Sequence, residues 1–154
     1  MELIKDGRID VNCQGYDGQT ALHLSSGQGL FEIVKALVEV AGINVNLVDH
    51  FGTTPLMCAI LHSPKDSKVK VVSELLAHKD LDVNFQDKKT GETALYLACR
   101  GLEEEREFAI RATTVTFTHG LKDIVKLLLA DERTDVTARN AFSTVLKWAT
   151  SPRK

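Results

Sequence analysis

The chain has 154 residues, 44% of them hydrophobic and 26% charged, with a formal net charge of −2. That length allows one domain with a substantial core, and so small a net charge gives no global field favouring nucleic acid or an anionic membrane. No long uncharged apolar run indicates a transmembrane span, and the first residues lack the apolar core of a secretory signal. Cys13, Cys58 and Cys99 are odd in number and lack CxxC spacing, which argues against a disulfide framework and a zinc site; an intracellular, cytoplasmic location is expected.

Taken in chain order, two short frames recur. Asp10-Val11-Asn12 returns as Asn44-Val45-Asn46, Asp82-Val83-Asn84 and Asp135-Val136-Thr137. Asp17-Gly18-Gln19-Thr20-Ala21-Leu22-His23-Leu24 returns as Gly52-Thr53-Thr54-Pro55-Leu56, then as Gly91-Glu92-Thr93-Ala94-Leu95, and in worn form as Ser143-Thr144-Val145-Leu146. Thr20 to Thr54 and Val11 to Val45 both span 34 residues, whereas Thr54 to Thr93 spans 39 and Val83 to Val136 spans 53. The second unit therefore carries a short insertion, and the third a long one at about 102–119. Recurrence at such a period is the mark of stacked supersecondary units.

Each unit explains itself locally. Gly18, Gly52 and Gly91 sit where tight turns need a residue without Cβ. Thr20, Thr54, Thr93 and Thr144 stand at helix N-caps, where the hydroxyl accepts from an unpaired backbone N–H, and Pro55 suits a first helical turn. First helices are expected over 20–27, 54–62, 93–101 and 144–150, lined by the small residues Ser25, Ala59, Ala98 and Ala149. Second helices follow the 3.6 period through Leu30, Ile33, Val34, Leu37 and Val38, through Val71, Val72, Leu75 and Leu76, and through Ile124, Val125, Leu128 and Leu129. Leu3 and Ile4 precede Val11 as Leu37 and Val38 precede Val45, so the chain is expected to open inside a helix and to be a slice of a longer array.

These frames resemble the ankyrin repeat, over nearly the whole chain. The resemblance implies an all-α fold, an α-solenoid of stacked helix-turn-helix units with β-hairpin-like finger turns. It implies one domain over 1–154: a partial repeat at 1–14, repeats at 15–48, 49–86 and 87–139, and a degenerate half-repeat at 140–154. It also implies a concave surface of fingers and first helices that binds a protein partner. His23, in the Thr-Ala-Leu-His frame, would tie its helix to a neighbouring turn. Leu76 with Asp82-Val83-Asn84 fits the frame that some asparaginyl hydroxylases modify, although a structural bond within the turn is the favoured role for Asn84.

Finger residues that the repeat does not require are the candidate contacts: Tyr16, Asp17 and Gln19, then His50, Phe51 and Thr53, then Lys88, Lys89 and Glu92. Tyr16 and Phe51 lead because an aromatic on a turn has no evident folding role and aromatics anchor interfaces. His62, Tyr96 and Arg100 extend the set along the first helices, with Arg100 available to a partner's carboxylate or to the acidic run Glu103–Glu107. Cys58 and Cys99 read as small buried hydrophobes. No HxxxH, HExxH, P-loop, GxGxxG or GxSxG is present, so no metal, cofactor or catalytic centre is expected. Lys65, Lys68, Lys70 and Lys79 are diluted by nearby acidic residues, which disfavours nucleic-acid binding. The expected function is a non-enzymatic protein-interaction module; the alternative is a recruiting arm of an enzyme whose catalytic domain lies elsewhere, and a third reading is self-association through open ends. The insertion is either an added contact surface or a cover for the stack.

Overall fold

The computed structural model describes residues 9–102 and 119–137. The chain divides into two compact units, Met1–Asp82 and Val83–Lys154. The described residues are helical and contain no strand.

Among the described residues the first unit holds four helices: α1 (Ala21–Gln28), α2 (Phe31–Val38), α3 (Pro55–His62) and α4 (Lys65–Leu76). Helix α1 packs on α3 and α2 on α4, while α1 pairs with α2 and α3 with α4. The result is two helix-turn-helix pairs stacked side by side. Leu22, Val34, Leu37, Leu56, Val71, Val72 and Leu75 are buried between them. A fully buried Leu or Val side chain contributes about 1.5–3 kcal/mol relative to exposure, so this seam is the main support of the unit.

The helix starts follow the sequence. Thr20 is extended and its hydroxyl accepts from the His23 N–H; Thr54 does the same for Met57, with Pro55 next in line. The first pair is joined through Gly29 in the left-handed region (φ 72°), and Leu30 N–H reaches back to the Ser25 carbonyl at 2.9 Å. That is a helix stop built on glycine. A Cβ at Gly29 would lie 2.7 Å from Pro64 Cδ, so the position is closed sterically as well as by dihedral. The stripe expected on α2 is narrower than the sequence implies. Val34 and Leu37 are buried, but Ile33 and the N-cap residue Leu30 reach solvent; among the described helices α2 packs on α1 and α4.

In the second unit α5 runs over 94–102 and α6 over His119–Ala130. Ala94, Leu95, Ala98, Cys99 and Leu102 are buried, as are Leu121, Ile124, Val125 and Leu128. Gly101 does not end α5. Leu121 packs closely against it, since a Cβ there would sit 2.9 Å from Leu121 Cδ1. Leu102 and His119 thus belong to helices. The remainder of the insertion, with Glu103–Glu107, and the worn frame Ser143–Leu146 lie outside the described residues.

Candidate protein interface on the finger turns

Each finger is closed by the same backbone bonds. The N–H of Gly15, Asp49 and Asp87 donates to the carbonyl of Gln19 (2.9 Å), Thr53 (3.0 Å) and Glu92 (3.0 Å) respectively. Gly18, Gly52 and Gly91, all at positive φ, donate back to the carbonyls of Gly15, Asp49 and Asp87. One closing bond and one inner turn bond make a tight loop without a ladder, so the β-hairpin-like character expected of the fingers stops short of strand pairing.

The first two fingers are then joined by side chains. The buried Asp49 carboxylate accepts from the backbone N–H of Phe51 (3.0 Å) and Thr53 (2.9 Å) through Oδ1, and from Gln19 Nε2 (3.3 Å) through Oδ2. Gln14 Nε2 donates to the carbonyls of Gly18 (2.6 Å) and Val48 (3.0 Å). The His50 N–H donates to the Asp17 carbonyl at 3.0 Å. A Cβ on Gly18 would fall 2.7 Å from His50 Cδ2, so glycine there admits the neighbouring finger as well as the turn.

His23 completes the joint. Thr20 N–H donates to His23 Nδ1 at 3.1 Å, which assigns the ring proton to Nε2, and Nε2 lies 3.1 Å from the Thr53 carbonyl. Together with the Thr20 hydroxyl this is a reciprocal cap. Burial lowers the His23 pKa below its ordinary value, against the opposing pull of the Thr53 carbonyl and the Asp49 charge. Burial, then Asp49, pushes the Cys58 thiol up to about 12, so it is held as a neutral buried group. Cys99 is buried too, and Cys13 is exposed.

The candidate contacts divide into two groups. Tyr16 and Phe51 are 98% and 66% exposed, and Asp17, His50, His62, Lys88 and Lys89 are also at the surface. Gln19 is engaged with Asp49, and the backbone of Thr53 with Asp49 and His23. In the second unit Arg100 pairs with Glu92, and its guanidinium lies 5.8 Å from the centre of the Tyr96 ring. Among the described residues, its ion-pair partner belongs to the same unit's finger.

Two features escaped the sequence reading. Asp49 looks like an ordinary turn residue. Its recurrence as Asp87 was the available signal; that carboxylate accepts from Lys89 N–H (3.1 Å) and the Thr90 hydroxyl (2.8 Å), which lowers its pKa. The second is an asparagine clasp. Asn12 Nδ2 donates to the Gly42 carbonyl and its Oδ1 accepts from Asn44 N–H, both at 2.8 Å. Asn46 does this with Asp80 (2.6 Å) and Asp82 (2.8 Å), and Asn84 with Arg133 (2.6 Å) and Asp135 (2.7 Å). The Asn84 side chain thus reaches across to the next turn.

No cluster of His, Cys, Asp or Glu suited to a metal occurs among the described residues, and no described helix is long and apolar enough to cross a membrane. A family model for ankyrin repeats, in three copies, matches residues 1–86. The chain is 34% identical over 113 residues to putative ankyrin repeat protein YahD of Escherichia coli, covering 73% of this chain and 56% of that one. It is 42% identical over 74 residues to human Rabankyrin-5, covering 47% of this chain and 6% of that protein. It is 32% identical over 116 residues to the potassium channel GORK of Arabidopsis thaliana, covering 75% of this chain and 12% of the channel. The chain thus spans little more than half of one of these relatives and a small fraction of the others.

Proposed function

The chain belongs to the ankyrin repeat family, and on that premise we propose that it is a non-catalytic protein-binding module. Its anchors in the first unit are Tyr16 and Phe51, on the tips of the two joined fingers. One observation carries this reading: two large rings stand 98% and 66% in solvent on turns whose backbone is already fixed by hydrogen bonds. Such rings add nothing to the fold, and Tyr and other aromatics are the common anchors of interfaces. A turn that is already ordered loses little further freedom on association, so a few anchors suffice for useful affinity. Asp17 and His50 adjoin the rings in sequence, His62 lies exposed at the far end of α3, and Lys88 and Lys89 offer a charged contact on the second unit. The match to 6% of the long Rabankyrin-5 chain supports reading the module as the recognition part of a larger intracellular protein.

The test is affinity capture followed by titration of the captured protein. Tyr16→Ala with Phe51→Ala weakens binding by more than about 2 kcal/mol, roughly thirtyfold, while the unfolding midpoint stays put. Equal affinity in that variant refutes the assignment.

A further inference from the structure

The first two fingers carry charged side chains of one sign, Asp17 and Asp49. From Ile9 to Pro64 the sequence contains Asp10, Asp17, Glu32, Glu39 and Asp49 but a single Lys or Arg, Lys35. Lys35 lies on α2, so the first two fingers, α1 and α3 carry no cationic side chain other than histidine. In sequence the next lysines follow Pro64 on α4, and Lys68 Nζ is directed to the Ile60 carbonyl at 2.6 Å, toward the far end of α3 from the finger. Asp17, next to Tyr16 in sequence, is exposed.

The rings also belong to one patch. Tyr16 adjoins Asp17, Phe51 adjoins His50, and the Asp17 carbonyl accepts the His50 N–H at 3.0 Å. Counting bonds through that contact places the two Cα atoms within about 15 Å at full stretch. One short segment of a partner can therefore meet both. Aromatic faces attract cations, arginine most often, and an exposed carboxylate beside them reinforces the preference.

We propose that Tyr16, Asp17 and Phe51 receive a cationic segment of the partner protein, with an arginine or lysine side chain settled against the rings and Asp17 as its counter-charge. The proposal rests on the protein-binding reading above and adds the chemistry of the ligand. An acidic segment would meet Asp17 with no lysine or arginine on the first two fingers to answer it.

The experiment titrates the whole chain with three nonapeptides of the repeats Gly-Arg-Ser, Gly-Glu-Ser and Gly-Leu-Ser, followed by backbone amide shifts in NMR. The arginine peptide alone shifts Tyr16, Asp17, His50 and Phe51, and its affinity falls as salt is raised. Tyr16→Ala with Phe51→Ala lowers that affinity about fivefold or more, and Asp17→Lys lowers it at least as much. Four results each overturn the proposal: no binding of the arginine peptide, shifts centred on Glu32 and Glu39 instead, equal binding of the leucine peptide at the same amides, or indifference to Asp17→Lys. If a captured protein still depends on Tyr16 and Phe51 while the arginine peptide fails, the binding module stands and only its cationic ligand falls.

Discussion

The first two fingers and the third share one backbone plan and differ in what their polar side chains do. In the first unit Gln14, Gln19, His23 and Asp49 all join one finger to the next. In the second unit, among the described residues, Glu92 turns back to Arg100 on the helix that follows it, and Asp87 serves its own turn. The same frame can therefore be tied laterally, where side-chain loss should cost stability, or locally, where it should cost little. Exposed tips such as Tyr16 and Phe51 are independent of either tie.

The largest effect tests the scaffold beneath both. Leu75→Ala, at a fully buried position of α4, should destabilise the first unit by about 2–5 kcal/mol, and Leu128→Ala in α6 should do the same for the second, read as shifts in urea midpoint. Comparable losses would show that both helix pairs depend on equivalent spines. Next comes the contrast between the two carboxylates. Asp49→Ala removes a shared acceptor and should cost about 2 kcal/mol, whereas Asp87→Ala, on an exposed turn, should cost less than about 1. Equal costs would erase the distinction between lateral and local ties.

The His23 joint adds a pH signature. Its folded pKa is lowered by burial, so the unfolded chain takes up a proton near the ordinary value of 6.5 while the folded ring stays neutral. This contribution is complete above that pH and declines as the pH falls below it, since the unfolded state then binds more protons. Denaturation midpoints of wild type and His23→Gln between pH 8 and pH 5 should converge as the solution is acidified; parallel curves would remove His23 from the account. The smallest effect is expected at the third finger, where Arg100→Ala should change stability by about 0–1 kcal/mol, as befits a partly exposed ion pair.

Much of the architecture was legible because it depends on local rules that repeat. Thr20 and Thr54 cap helices where a hydroxyl precedes an apolar run, and Gly18 and Gly52 turn where φ is positive. Leu37, Leu75 and Leu128 are buried where the period places them. The exposure of Tyr16 and Phe51 was readable too, since neither answers to a repeat position. Gln19 and Arg100 were harder. Their side chains are long enough to reach either a partner or a neighbour, and sequence spacing does not rank those options. The second helix misled for a related reason: Ile33 has the right period for burial, but α2 has no neighbour on that side among α1, α3 and α4.

Sequence alone determined the repeat, its turns and caps, and the segregation of lysine and arginine away from the first two fingers, because each of these is carried by residue identity and near-neighbour geometry. Tertiary structure decided which polar groups are consumed in holding the fingers together. Asp49 and His23 acquire their roles from groups about thirty residues away, and Asn84 from a turn beyond the insertion. Hydrogen bonds form between atoms that folding brings within 3 Å or so, and only stacking one helix pair beside another fixes which atoms those are.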